Sequence, residues 1–352
     1  MSSIALHRDD VIVGVDTHKH EHVAVVIDGL GGRLGDRAVP ATVAGYEELV
    51  GWARSWGRVY GFGVEGTASY GAGLARFLRR GGFRVIEAGR PPRPVERRRH
   101  GKSDPLDAEH AARHVLAGHT AVVPKRADGI VEAIRLTRIA RSGAVKAHTQ
   151  AMVTLRAVLV TADDDLRARL EPLTAHQLMT TCAALDTTGD PTDAAVAMTH
   201  VLAALAQRWL DLHREIKIHT KRLAYLTATA APTLVAAYGI GPDIAGELLV
   251  TAGDNPERIR SEAAFACLCG VCPLPTGSGQ TAGRHRLNRG GNRHANAALY
   301  RAVIVRMRHH QPTRAYVARR TAEGLTTKDI IRCLKRYLAR EIYALLPHLD
   351  DQ

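Results

Sequence analysis

Short apolar runs separated by polar turns fill the first ninety residues, and their order predicts an α/β fold. The runs at 11–15 and 23–27 are rich in valine and isoleucine, as strands are, and a glycine-rich turn at 28–32 follows the second run. A third strand is predicted at 33–39. Beyond it, the pattern predicts in turn a helix at 43–56, a strand at 59–64, a helix at 74–80 and a strand at 83–88. A three-strand meander followed by alternating helices and strands is typical of a mixed sheet.

The character of the chain changes at about residue 129. From there to 229 glycine is scarce and apolar residues recur at spacings of three and four, which predicts long helices. Two arrangements fit this pattern, a coiled-coil-like hairpin broken near 186–191 and an ordinary helical bundle. Because the apolar stripe is long, we expect this segment to dimerise the protein.

The remaining third of the chain is predicted to be mainly helical. The run AYGIGPDIA at 237–245 resembles a helix-hairpin-helix turn, whose glycines either let backbone N–H groups approach a phosphate or only form a tight turn. A glycine-rich loop is predicted at 273–291. We therefore expect three domains: an α/β domain at 1–125, a helical middle at 126–230 and a C-terminal domain at 231–352.

Composition narrows the class of protein. The chain has 352 residues, of which 45% are hydrophobic and 5% aromatic, so a large core can form but an aromatic stacking surface for RNA is disfavoured. The odd count of five cysteines and a start that does not resemble a signal peptide indicate a reducing cytoplasm. No apolar run approaches the ~20 residues of a membrane helix. Cys267, Cys269 and Cys272 lack a fourth ligand at zinc-like spacing, so no zinc is expected.

Charge is concentrated near the end of the chain. The net charge is +13, and residues 281–352 contain 15 Lys and Arg against 5 Asp and Glu. Such an excess favours a polyanionic partner, although a solvated arginine-rich helical surface would give the same count. Two basic groups are the candidate nucleic-acid contacts: Arg97, Arg98, Arg99 and Lys102 in a proline-rich loop, and Arg284, Arg286, Arg289 and Arg293 near the end of the glycine-rich loop.

Four carboxylates occupy special places in this layout. Asp16 ends the first strand, Glu65 ends a later strand, and Asp104 and Asp107 share one face at the start of a helix. Together they fit Mg²⁺, which binds through carboxylates and substrate phosphates, and two such ions ~3.5–4 Å apart can cleave a phosphodiester. Taken singly, an Asp after a strand is a common turn residue, and Asp104 before Pro105 also suits a helix N-cap.

Three sequence runs carry a resemblance to a known family. GVDTHK at 14–19, VEGTASYG at 64–71 and KSDPLDA at 102–108 resemble, in order and spacing, the DEDD transposases of bacterial insertion sequences, which are RuvC-like recombinases guided by a bridge RNA. The resemblance covers nearly the whole chain. It implies an RNase H-like fold and a Mg²⁺ site formed by the four acids. It also implies donor and target DNA as substrates and a guide RNA as partner.

Ser278 is the candidate nucleophile. It lies between Gly277 and Gly279, which leaves it accessible, but a serine in such a loop is more often only a loop residue. The family resemblance includes the run GVCP at 270–273 followed by Ser278. It implies that Ser278 joins covalently to a DNA phosphate, in a composite site with the acids of another subunit of a dimer or a DNA-bound tetramer. Two other functions stay open: a structure-specific nuclease that uses only the acids, and a non-catalytic nucleic-acid-binding protein.

Overall fold

A computed structural model describes residues 6–89, 103–118, 123–255, 258–276, 285–288 and 290–347. The chain forms two compact units. The first unit comprises Met1–Ala127 together with Gly253–Arg260, and the second comprises Asp128–Ala252 and Ser261–Gln352. The finer division of residues 126–352 into two domains stays a prediction.

The first unit contains a five-stranded mixed sheet, which confirms the predicted α/β layout. The strand order is β3-β2-β1-β4-β5. The three-strand meander β1–β3 is antiparallel, whereas β4 and β5 run parallel to β1. The strands are β1 (Asp10–Thr17), β2 (Glu21–Asp28), β3 (Arg33–Pro40), β4 (Arg58–Val64) and β5 (Val85–Glu87).

Helices cover both faces of this sheet because its central strands are apolar on both sides. Alternation along β1 sends Val11, Val13 and Val15 to a core shared with α1 (Val43–Arg54) and α2 (Ala72–Arg80). Ile12 faces the opposite core, which α3 (Asp104–Ala117) closes. Each fully buried valine or isoleucine stabilises the fold by roughly 1.5–3 kcal/mol.

Two glycines let α3 lie directly on the sheet. Gly14 of β1 and Gly63 of β4 are register partners on adjacent parallel strands. A Cβ added to Gly14 would come within 1.9 Å of the Ala108 carbonyl oxygen, and one added to Gly63 within 2.3 Å of the Ala111 carbonyl oxygen. The backbone of α3 therefore fits against β1 and β4 only because both positions lack a side chain.

A short segment from far along the sequence completes the first unit. Within Gly253–Arg260, the buried Asn255 donates from Nδ2 to the Pro124 carbonyl oxygen at 3.1 Å. The Asp254 carboxylate accepts a hydrogen bond from the Arg126 amide at 3.0 Å. Nothing in the local pattern of apolar residues indicated that these residues join the α/β unit.

The second unit begins with a pair of long helices that confirms the predicted helical middle. These are α4 (Ile130–Leu159) and α7 (Ala194–Ala230), separated by α5 (Asp164–Leu170) and α6 (Ala175–Ala183). His148 stacks on Trp209, and Leu155 lies in one apolar cluster with Leu202. Residues later in α4 contact residues earlier in α7, so the two helices form an antiparallel hairpin. The chain is non-helical at 186–191, where the break was predicted.

The rest of the second unit is helical in its described residues, as predicted, except for one small hairpin where a glycine-rich loop was predicted. Its strands β6 (Pro273–Pro275) and β7 (His285–Leu287) pair antiparallel. Gly239, in the turn before the helix Pro242–Ala252, has φ of +76°, a left-handed conformation that glycine adopts without strain. The helices are α8 (Pro232–Ala236), α9 (Pro242–Ala252), α10 (Glu262–Leu268), α11 (Arg293–His309), α12 (Gln311–Ala322) and α13 (Thr327–Leu345). None of the helices in the described ranges has the length and apolar character needed to span a membrane.

Candidate metal centre

The carboxyl ends of β1 and β4 bring Asp16 and Glu65 to the same edge of the sheet. Val15 and Val64 are register partners, and each is followed by an acid. The Glu65 amide donates to the Val15 carbonyl oxygen at 3.0 Å, and Thr17 Oγ1 donates to the Glu65 carbonyl oxygen at 3.0 Å. Alternation along β4 puts Glu65 on the side of the sheet that Gly63 presents to α3.

The start of α3 brings the other two acids to this edge. Ser103 is the N-cap residue, so Asp104 is the first residue of the helix and does not serve as its cap. Pro105 fits the first turn because its missing N–H needs no partner there. Asp107 lies one turn further and is 5% exposed. Negative charge in a first turn is favourable, because free N–H groups point out of the helix there.

His18 stands between two of the acids. Its Nε2 atom lies 3.3 Å from Asp16 Oδ2 and 3.4 Å from Asp104 Oδ2. One potential ligand atom from each of these three residues lies within 4.8 Å of the others, and no second group of this kind occurs in the part of the chain that the structure describes. His18 Nε2 is buried and makes no hydrogen bond to any described residue.

The electrostatics of Asp16 favour a cation at this position. Burial is the main cause that raises the pKa of Asp16, and the charges of Asp104 and Asp107 raise it further. His18 and a hydrogen bond from the Thr17 amide act in the opposite direction. A carboxylate whose ionised form is disfavoured by burial and by like charges is one that a bound cation stabilises.

The donor set fits a divalent cation. Carboxylate oxygens from Asp16 and Asp104 are the hard ligands that Mg²⁺ and Mn²⁺ prefer, whereas imidazole nitrogen suits transition metals better. His18 therefore fits either as a ligand of a transition metal or as a neighbour that orients the carboxylates of a magnesium site.

Sequence reasoning did not assign a role to His18. The signal was available, because His18 lies two residues beyond Asp16 in the run GVDTHK. The structure brings Asp16 and Asp104 together, and the charge of Asp107 acts on Asp16. The part that Glu65 and Asp107 play as ligands stays a prediction.

The predicted nucleophile and most of the predicted basic contacts fall outside the described residues. These are Ser278, Arg97, Arg98, Arg99, Lys102, Arg284 and Arg289. Two of the basic candidates are described: Arg286 on β7 and Arg293 at the first position of α11.

Two family models match separate stretches of the chain. A transposase model of the DEDD IS110 type matches residues 13–162, a stretch that contains all four candidate acids. A model described as transposase of the IS116/IS110/IS902 family matches residues 232–318, a stretch that contains Ser278.

Two proteins of insertion elements from Streptomyces are similar to parts of the chain. An uncharacterised 44.8 kDa protein of insertion element IS116 from Streptomyces clavuligerus is 26% identical over 149 residues, which cover 42% of this chain and 36% of the relative. An uncharacterised 43.6 kDa protein of insertion element IS110 from Streptomyces coelicolor is 29% identical over 116 residues, which cover 33% of this chain and 28% of the relative. The similarity thus spans about a third of the length of either relative.

Proposed function

Because the chain belongs to the IS110/IS116 family of transposases, we propose that it cuts and rejoins DNA with a divalent-metal site at the end of β1. The observation that carries this proposal is the convergence of Asp16, His18 and Asp104 within 4.8 Å. The proposal assigns Glu65 and Asp107 to the same set, and it is supported there by the strand register at Val64 and by the position of Asp107 in the first turn of α3.

In this proposal each residue of the edge has a distinct role. Asp16 and Asp104 hold the ion from two elements, Glu65 supplies a carboxylate from β4, and Asp107 adds negative charge from the buried face of α3. When bound, two Mg²⁺ ions would activate the attacking oxygen and stabilise the leaving oxygen of a phosphodiester. Gly14 and Gly63 act indirectly, because they fix the distance between α3 and the strand ends.

The matched pair Asp16→Asn and Asp10→Asn tests the metal site. Both residues are buried acids on β1, but Asp10 pairs with Arg58, at 2.6 Å between Oδ1 and Nε, away from the candidate ligands. On DNA that carries an element end, Asp16→Asn should lower the rate of strand cleavage by a factor of at least ~10³, because the ion loses a ligand. Asp10→Asn should stay within about tenfold of the wild type.

Calorimetric titration of the same two variants with Mn²⁺ or Mg²⁺ measures metal binding separately from DNA cleavage. Asp10→Asn should retain the binding heat of the wild type, and Asp16→Asn should lose it. Cleavage by Asp16→Asn at the wild-type rate would exclude the edge of β1 as the active site.

We assign the covalent step of the proposal to Ser278. Its Oγ would form a P–O bond to the DNA phosphate while one P–O bond of the strand breaks and leaves a free hydroxyl end. Reversal of this step on a new end rejoins the strand without ATP, because the bond energy is kept in the phosphoserine link. The support is the position of Ser278 within the stretch that matches the IS116/IS110/IS902 family model.

The test of Ser278 is a search for the covalent adduct. Wild-type protein should give a protein–DNA band on denaturing gels, and Ser278→Ala should give none while it still binds DNA. Recombination by Ser278→Ala would instead support a nuclease that uses the acids alone.

A guide RNA and an oligomer complete the proposal. The excess of Lys and Arg over residues 281–352 supports binding of nucleic acid, and exposed apolar residues such as Leu136, Ile139 and Val153 on α4 support self-association. Sequencing of nucleic acid that co-purifies with the protein should recover one discrete structured RNA. Light scattering should show at least a dimer at micromolar concentration. A monomer with and without nucleic acid would contradict the assembly.

A further inference from the structure

A cationic cavity of about 580 Å³ lies in the second unit, between the β6–β7 hairpin, α11 and α13. Its volume is in the range of cavities that hold a small ligand. Four cationic side chains from three different elements line it: Arg286, Arg293, Arg332 and Lys335. None of its lining residues, all of them within the described ranges, is an acid.

The most buried cation of this cavity, Lys335, is held by a network of hydrogen bonds. Lys335 is 9% exposed, and its Nζ donates to Asn296 Oδ1 at 2.8 Å. The Asn296 amide is fixed in turn, because its Nδ2 donates to the carbonyl oxygens of Cys269 at 3.1 Å and Gly270 at 2.9 Å. This chain of hydrogen bonds orients Asn296 so that its oxygen, and not its amide nitrogen, meets the ammonium group of Lys335.

The charge of Lys335 is not balanced by a carboxylate of the described chain. Arg332 pairs with Asp329, one turn earlier on α13, but this ion pair is exposed. Among the residues that the structure describes, Lys335 has only the neutral Asn296 oxygen as acceptor. Burial, followed by the charge of Arg332, lowers the pKa of Lys335. Burial of an ammonium group among other cations is unfavourable unless an anion is bound, so the arrangement fits a site for an anionic ligand.

The position of the cavity indicates which anion it serves. β6 ends at Pro275 and β7 begins at His285, so the hairpin that lines the cavity flanks the chain segment containing Ser278. Arg286 and Arg293 are exposed, so a polymer backbone can approach them. The surrounding excess of positive charge suits a nucleic acid better than a small free anion.

We propose that this cavity binds one backbone phosphate of a DNA strand, with Lys335 at its floor and Arg293 and Arg286 at its rim. The inference rests on the proposed function, because it takes DNA as the substrate. It assigns a binding role to Lys335 and Asn296, which lie 57 and 18 residues beyond Ser278 in the sequence. The two arginines and the lysine would hold the phosphate through charge-assisted hydrogen bonds.

The substitution Lys335→Met tests this site, with Lys328→Met as its matched control. Both lysines lie on α13, but Lys328 is exposed and lies outside the cavity. Binding of the full-length protein to a fluorescent single-stranded DNA is measured by anisotropy in EDTA, so that no cleavage occurs. Lys335→Met should weaken binding about tenfold, as expected for the loss of a charged hydrogen bond. It should also reduce the slope of log affinity against log salt by about 0.7, the contribution of one phosphate contact. Lys328→Met should change the affinity less than about twofold.

Stability separates a binding role from a structural one. Because Lys335→Met removes a buried charge, the variant should unfold at the same temperature as the wild type or higher when no nucleic acid is present. If Lys335→Met unfolds at a lower temperature than the wild type, the substitution Arg293→Gln at an exposed position is the second test. Arg293→Gln should also lower the affinity for DNA several-fold.

Three outcomes decide the proposal. Wild-type affinity in both Lys335→Met and Arg293→Gln would overturn it. A loss confined to RNA of the same sequence would overturn the assignment to DNA. Weaker DNA binding in both variants, by the factors given above, would support it, whether or not cleavage depends on Asp16, because the measurement needs no metal ion.

Discussion

The acidic edge of the first unit and the cationic cavity of the second place charge by different means. Asp16 and Glu65 follow residues paired in strand register, so the backbone alone brings them to one edge. Arg286, Arg293 and Lys335 come from a hairpin and two helices whose contacts depend on tertiary packing. Asp16 and Glu65 are thus positioned by backbone hydrogen bonds between adjacent strands, and the cations by side-chain packing of a hairpin against two helices.

The acidic edge and the cationic cavity nevertheless share one structural feature, the close contact of two backbone segments at a glycine. A Cβ on Gly14 would come within 1.9 Å of the Ala108 oxygen beneath the acidic edge, and a Cβ on Gly291 would come within 2.2 Å of the Gly270 nitrogen beside the cavity. In each case a charged cluster lies next to a contact that no larger residue allows. Rigid backbone contact of this kind holds like charges together against their repulsion.

The largest effect is expected from Gly14→Ala. The added methyl group meets backbone atoms of Ala108 and Ala112, which cannot rotate away, so α3 must move off β1. We expect a loss of at least about 3 kcal/mol in the free energy of unfolding, at the upper end of the cost of overpacking. Asp104 would move with α3, so metal binding should be lost as well. Urea unfolding and calorimetric titration measure the two effects.

Gly51→Ala is the matched control. Gly51 lies inside α1 with open space around its Cβ position, so alanine should stabilise the protein by up to about 1 kcal/mol. Equal stability changes in Gly14→Ala and Gly51→Ala would show that α3 does not rest on β1 as described.

A smaller effect is expected from Gly291→Ala in the second unit. The methyl group would separate the Gly291 and Gly270 backbones, and Asn296 would lose its two carbonyl acceptors. We expect a cost of roughly 1–3 kcal/mol and, from the resulting displacement of Lys335, weaker binding of DNA. Gly143→Ala on α4, where nothing lies within 4 Å, should leave DNA binding unchanged. Unchanged affinity for DNA in Gly291→Ala would show that the contact between Gly291 and Gly270 does not position the cations of the cavity.

The strands and helices of the first unit could be predicted from the sequence because each is a local pattern. The valine-rich runs placed β1 and β2, and Pro105 placed the start of α3, so the pattern alone assigned Asp16, Asp104 and Asp107 to the ends of elements. Local patterns do not report contacts between distant residues. Hence sequence reasoning missed the pairing of Lys335 with Asn296 and the contribution of Asn255 to the first unit.

His18 was missed for a different reason. It lies in the run that carries the family resemblance, but its role depends on the position of Asp104, 86 residues away in the sequence. The strand pattern fixes Asp16, whereas the packing of α3 on Gly14 fixes how near Asp104 comes. Only the packing of α3 on Gly14 makes the His18 imidazole a neighbour of two carboxylates.

Two buried acids of the same strand, Asp10 and Asp16, differ in the direction of their pKa shifts. The hydrogen bond from Arg58 is the main cause that holds the pKa of Asp10 below its usual range, whereas burial raises the pKa of Asp16. For Asp10 the ionised form stabilises the fold; this stability is present above the unfolded-state pKa and is lost as the pH falls through the folded-state pKa. For Asp16 the sign is reversed, because the stability comes from the protonated form and is lost as the pH rises through the folded-state pKa.

In metal-free protein at pH 7, the two asparagine substitutions should therefore act in opposite directions. Asp10→Asn should lower the free energy of unfolding, because it weakens the charged hydrogen bonds from Arg58. Asp16→Asn should raise it, because a buried negative charge beside Asp104 and Asp107 is removed. The Asp16 difference should shrink first, as the pH falls through the raised folded-state pKa of Asp16, whereas the Asp10 difference should disappear only when the pH falls through the lowered folded-state pKa of Asp10. Added Mg²⁺ should stabilise the wild type and Asp10→Asn but not Asp16→Asn. A metal-free Asp16→Asn protein that is less stable than the wild type at pH 7 would mean that Asp16 is held by structural hydrogen bonds, and the edge of β1 would then lose its main electrostatic argument for a metal ion.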